Sequence, residues 1–209
     1  MVKRAPAEEE TRTRARTRRA ILEAAVSVLA ERSAAPLSDV ARAAGVARST
    51  LQRYFPERSD LMAALGDHAD EVLREATERA RPAEGTGAEA FVRLAAEYFP
   101  LRDAIMLAWG SGEDIEDLAW AEEPGEYDRA LYALVERGHA DGSMDRRIGP
   151  LWAQQLLWGH LYSGWAYCHQ ASVPRHEALN LCLYSLVKSV CAGDPAAAAA
   201  GLVPLPAEH

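Results

Sequence analysis

The chain has 209 residues, 49% of them hydrophobic, and a net charge of -8. That length suffices for one domain or two small ones with a true core. No apolar run approaches the ~20 residues of a membrane span, and the charged N-terminus lacks the apolar stretch of a secretory signal. The three cysteines, Cys168, Cys182 and Cys191, have neither metal-ligand spacing nor the even count of a disulfide framework, so a reduced cytoplasmic setting is expected.

The charge is unevenly divided. Residues 1–58 hold 12 Lys+Arg and 7 Asp+Glu, a net of +5, and residues 59–209 hold 11 and 24, a net of -13. A positive N-terminal end suits a polyanion, while the acidic remainder repels nonspecific nucleic acid.

Residues 1–17 read as a basic, partly disordered arm. Arg12, Arg14 and Arg16 alternate with threonine and alanine and give no apolar face, so the stretch is an arm or a solvated helix start. It suits phosphates or a minor groove; a plain solubility tail is the alternative. Helix 1 then runs to about Glu31, with Ile21, Ala25, Val28 and Leu29 on one face. Pro36 suits a helix start, because its missing N–H would be unpaired there.

From Leu37 to Leu61 the sequence reads LSDVARAAGVARSTLQRYFPERSDL: a helix, a glycine turn, a second helix and the start of a third. Val40, Ala41, Ala44, Val46, Leu51 and Phe55 can all point inward. Between them lie Arg48, Ser49, Thr50, Gln52, Arg53 and Tyr54, nearly all donors or acceptors suited to phosphates and base edges. Gly45 falls where the first helix must stop and accepts a left-handed conformation there. So short a turn sets two helices steeply across each other, one to enter a major groove and one to brace it.

Ser59 is placed to cap helix 4, with Asp60 favoured in its first turn, and the helix continues to about Ala80. Arg81-Pro82 and Glu84-Gly85-Thr86-Gly87 mark a boundary before a second domain at 86–192. Its pattern stays helical: short helices at Leu101–Trp109 and Asp114–Ala121, one carrying Tyr127 to Val135, and two long ones at Pro150–Ala171 and Arg175–Ala192. The first long helix is apolar almost all round and must be covered on most sides. Residues 193–209 read as a disordered tail. No β-alternation appears, so the expected fold is all-α.

The stretch from about Arg18 to Leu65 closely resembles the tetracycline-repressor (TetR) family of transcriptional regulators. The resemblance is carried by Ala20-Ile21-Leu22-Glu23-Ala24-Ala25, the glycine turn, Phe55-Pro56 and Leu61. It implies a three-helix DNA-binding domain at 18–80, with its helix-turn-helix at about 36–55, joined through helix 4 to a helical ligand-binding and dimerisation domain. By the resemblance, Thr50 and Tyr54 grip phosphates, Ser38 lies near the sugar-phosphate chain, and Arg58 stands where the family usually has a phosphate-binding lysine. Arg48, Ser49 and Gln52 are the candidates for base readout, with Arg53 beside them. Gln52 departs from the usual tyrosine; it can make a paired contact to adenine, or lie solvated or on a phosphate.

The resemblance also implies a homodimer on an inverted-repeat operator and an apolar small-molecule effector. Trp109, Tyr127, Trp152 and Gln155 are the candidate ligand contacts, and Trp158, Leu161, Trp165, Leu179, Leu183 and Leu186 the candidate dimer contacts. Aromatics at helical spacing are more often plain core or dimer interface. No metal or cofactor site is expected: His160 and His169 lie half a turn out of phase, and no Ser/His/Asp arrangement or phosphate-cradling glycine loop is present. The expectation is a repressor and not an enzyme. A ligand-independent regulator or activator of this fold, or a helical small-molecule binding module without DNA function, are the alternatives.

Overall fold

The computed structural model describes residues 6–109 and 126–202. Among these the structure is helical, with one isolated antiparallel bridge, Met144 to Cys191. The helices are α1 (Pro6–Glu31), α2 (Leu37–Ala43), α3 (Arg48–Tyr54), α4 (Arg58–Ala80), α5 (Gly87–Tyr98), a 3-10 turn at Phe99–Leu101, α6 (Arg102–Trp109), α7 (Glu126–Asp141), α8 (Pro150–Gln170), α9 (Arg175–Val190) and α10 (Pro195–Leu202). The chain forms two compact units, residues 1–71 with 103–120, and residues 72–102 with 121–209.

In the first unit, Ile21, Leu22, Ala25 and Leu29 of α1 close over Val40, Ala41, Leu51, Phe55, Leu61 and Leu65, all buried. Gly45 takes φ +67. Around it Gly45 N–H donates to Arg42 O at 3.1 Å and Val46 N–H to Ala41 O at 2.9 Å, the paired bonds of a Schellman motif. No atom would obstruct a side chain at Gly45, so the backbone angle alone demands glycine there.

One expectation is resolved here and one corrected. Of the two readings of the basic stretch, the helix start holds: the chain is helical from Pro6, so Arg12, Arg14 and Arg16 belong to α1. Alanine, arginine and glutamate are strong helix formers even without an apolar face. Helix 4 begins at Arg58, so Ser59 lies inside its first turn; the cap is instead Asp60 Oδ2, which accepts the Glu57 N–H at 2.9 Å.

In the second unit, α8 and α9 pack along each other, and α5 packs on α7. The N-terminus of α5 is fully capped. Thr86 and Glu89 form a capping box, Asp141 Oδ2 accepts the Gly87 N–H at 2.9 Å, and Ser143 Oγ accepts the Ala88 N–H at 3.0 Å. Just after α4, Arg93 of α5 donates to the carbonyls of Ala80, Arg81 and Glu84 and so ties the α4–α5 turn to α5. The alanine-rich stretch expected to be a disordered tail forms α10 against α9, with Ala199 buried, because alanine is the best helix former.

Candidate nucleic-acid interface

The recognition surface is built on α3. Leu51 and Phe55 are buried and pin the helix. Arg48, Ser49, Gln52 and Arg53 therefore face outward, with Thr50 and Tyr54 half-buried beside them and Ser38 exposed on α2. One helical face anchors the helix and the other is open to solvent.

Arginines near this surface fall into two groups. Arg32 and Arg42 both bind Asp39, each at 2.6 Å, and Arg19 binds Glu23 at 3.0 Å. These pairs neutralise the local carboxylates. Among the described residues Arg48 and Arg53 have no ion pair, nor do Arg14 and Arg18. Instead Arg14 lies 5.9 Å from the centre of the Tyr54 ring and Arg18 lies 5.7 Å from that of Phe55. Arg53 also approaches Tyr54, at 5.9 Å. Spacing along α1 hinted at this, since Arg14 and Arg18 are four residues apart and share a face. The Arg18 contact leaves no local mark in the sequence, because its partner Phe55 is 37 residues away.

Arg58 is engaged elsewhere than expected. Its Nη1 donates to Ala35 O at 2.8 Å and its Nη2 to Ser33 O. The guanidinium thus ties the start of α4 to the loop between α1 and α2. Two of its five donors are thus occupied within the chain, a structural role that the sequence reading of Arg58 as a phosphate anchor did not include.

Residues 21–65 match the family described as bacterial regulatory proteins, tetR family. The chain is 33% identical over 181 residues to the HTH-type transcriptional repressor LfrR of Mycolicibacterium smegmatis, covering 87% of this chain and 94% of that protein. The chain belongs to the TetR family. The crystal structure of LfrR from Mycobacterium smegmatis in complex with proflavine superposes with a TM-score of 0.66 at 34% identity, covering 83% of this chain and 96% of that one. A TetR transcriptional regulator from Streptomyces coelicolor, SCO0520, gives a TM-score of 0.54 at 26% identity over 81% of this chain and 97% of that one. The chain is accordingly a DNA-binding transcription regulator with the all-α, helix-turn-helix fold expected of it.

For this TetR-family chain the remaining candidate residues, Trp109 apart, lie in the second unit. Trp152 is 59% exposed and Gln155 is exposed, so neither lines an enclosed space within one chain. This corrects their reading as pocket walls. The side chains of Trp109 and Tyr127 lie outside the described residues.

A run of rings that spacing alone did not single out as a unit leads from the buried Tyr98 through the half-buried Trp158 and the exposed Tyr162 to the buried Trp165. Tyr98 stacks on Trp158 at 5.7 Å, Trp158 meets Tyr162 at 6.4 Å, and Tyr162 meets Trp165 edge-on at 5.2 Å. Thr77 Oγ1 donates to Leu73 O, so its contact with the Tyr98 hydroxyl at 2.7 Å has Tyr98 as donor. One turn before Trp158, Gln154 accepts from the Tyr132 hydroxyl at 2.9 Å and donates to Asp128. Burial, and then the Asp128 charge, push the Tyr132 phenol up.

The expected dimer contacts are also redistributed. Leu161, Trp165, Leu183 and Leu186 are buried inside the single chain, so they have no surface for a partner. Trp158 and Leu179 are half-buried. The outward faces of α8 and α9 carry Leu151, Trp152, Tyr162 and Leu181 instead. An all-apolar helix has no polar stripe, so its sequence could not show which side turns outward.

Among the described residues no three His, Cys, Asp or Glu side chains are grouped to hold a metal, and no helix is long and apolar enough to cross a membrane.

Proposed function

We propose that the chain is a homodimeric repressor that binds an inverted-repeat operator and leaves it when a small, largely apolar ligand binds the second unit. One observation carries the DNA part: Arg48, Ser49, Gln52 and Arg53 are exposed together on a helix pinned by Leu51 and Phe55. Arg48 and Ser49 at the front of α3 read bases with Gln52, while Thr50, Tyr54 and Ser38 hold phosphates. Two such helices must sit about one DNA turn, ~34 Å, apart. The exposed Leu151, Trp152, Tyr162 and Leu181 supply an apolar face for the second copy.

LfrR has been crystallised with proflavine, a flat aromatic cation. The ring run from Tyr98 to Trp165 gives this chain stacking surface for such a molecule, and the Asp128 carboxylate gives it a counter-charge. Ligand and operator then weaken each other equally, and a coupling of about 1–3 kcal/mol gives 5- to 150-fold release.

The test selects bound duplexes from a random DNA pool, then titrates the enriched duplex with and without proflavine. Enrichment of an inverted repeat, two chains per duplex and weaker binding with the ligand are expected. A folded protein that enriches no sequence would sink the repressor reading. An operator affinity unchanged at saturating proflavine would sink the effector class.

A further inference from the structure

Two guanidinium groups approach one ring at the C-terminal end of the recognition helix. Arg14 of α1 and Arg53 of α3 each lie 5.9 Å from the centre of Tyr54. Neither forms an ion pair among the described residues, although Arg32, Arg42 and Arg19 close by all do. Two guanidinium groups without a carboxylate partner beside one ring leave a local positive charge that an anion can meet. The ring compensates in part, since its negative face attracts cations. The remaining charge is unmet, and Tyr54 adds a hydroxyl that can donate to an oxyanion. Arg18 over Phe55, one helical turn along α1, holds the same two helices at a second point.

We propose that Arg14, Arg53 and the Tyr54 hydroxyl together grip one DNA backbone phosphate, and that Arg14 thereby positions α3. The inference rests on the DNA-binding reading. Under it the basic front of α1 is no loose arm adding diffuse charge. Arg14 acts through Tyr54, so its contribution depends on that ring, whereas the contribution of Arg12 does not.

A double-mutant cycle on the selected operator, read by fluorescence anisotropy across salt concentrations, tests this. Arg14→Ala is expected to weaken binding about tenfold and lower the salt slope by about one. Tyr54→Leu is expected to lose as much, and the Arg14→Ala, Tyr54→Leu pair to lose little more than either alone. Tyr54→Phe keeps the ring and so preserves the dependence on Arg14, which separates positioning from the hydroxyl's own bond. Arg12→Ala with Tyr54→Leu is expected to be additive. Additivity of Arg14→Ala with Tyr54→Leu, or equal behaviour of Arg12 and Arg14, overturns the inference while the DNA reading stands. A wild-type chain with no salt-dependent binding overturns both. Thermal melts of each variant exclude loss of folding as the cause.

Discussion

Gly87 and Gly138 meet backbone to backbone where α5 crosses α7. A Cβ on Gly87 would lie 2.3 Å from the Cα of Gly138, and one on Gly138 would lie 2.5 Å from Cγ of Met144. The crossing brings the N-terminus of α5 within reach of Asp141 and Ser143, so the close approach and the capping depend on each other.

Gly87→Ala and Gly138→Ala are therefore expected to destabilise the protein by about 1–3 kcal/mol, the usual cost of forcing atoms into a filled space. Gly66→Ala offers the contrast. It sits in α4 with no atom near its missing side chain, so alanine there should stabilise by roughly 0.5–1 kcal/mol. Urea unfolding of the three variants reads both signs at once.

Asp141 and Asp145 make the loop after α7 acid-sensitive. For Asp141 partial burial raises the carboxyl, but bonds from Ser143 and from the Gly87 N–H outweigh it and the net shift is downward from 3.8. For Asp145 the Arg147 side chain and backbone N–H hold the carboxyl down to about 2. Both groups have lower folded than unfolded values, so their contribution is present above about 3.8 and fades as pH falls through the folded values. In Asp141→Asn the acid limb of the stability curve below pH 4 should flatten. Acid unfolding followed by far-UV circular dichroism measures it, and an unchanged limb would show that other carboxylates dominate.

Burial pushes the Cys182 thiol up to about 12 and the Cys191 thiol up to about 11. Neither supplies thiolate near neutral pH. Cys168 is half-exposed. Labelling at pH 8 with a thiol-disulfide reagent should modify about one thiol per folded chain, at Cys168, and all three after denaturation. Rapid labelling at Cys182 in the folded state would contradict its packing.

Arg58→Lys keeps the charge but cannot span two carbonyls in the planar fork that reaches Ser33 and Ala35. A loss of about 1 kcal/mol in stability is expected, from one bond weakened or left unmade. If operator affinity falls far more than stability does, Arg58 has a direct role on DNA after all.

Gln52 is exposed on α3, where it can reach a base edge. Gln52→Ala should change the enriched operator at one position of each half-site, weakening the original sequence by about 1–3 kcal/mol. Repeating the selection with the variant decides it; an identical motif would place Gln52 on solvent or phosphate.

The helix-turn-helix was legible in the sequence because its signals are local. Gly45 must break a helix at that place, and Leu51 and Phe55 repeat at a spacing that only one helical face satisfies. A strong family resemblance over the same residues then supplied the function. The second unit was legible as helices and little more. Along α8 both faces are apolar, so Leu161 and Trp165 could not be told from Leu151 and Trp152, and only packing against α9 and α5 turned the first pair inward. The helix at Pro195–Leu202 is illegible in the sequence for a related reason, since a run of alanines carries no periodicity to reveal that one side is covered. The remaining features join residues far apart in the chain: Arg14 with Tyr54, Arg58 with Ser33, Gly87 with Gly138, Thr77 with Tyr98. Local patterning determined which segments become helices and where the helix-turn-helix lies. Which groups those helices bring within bonding distance was decided by tertiary packing, because a contact between distant segments leaves no periodic mark on either one.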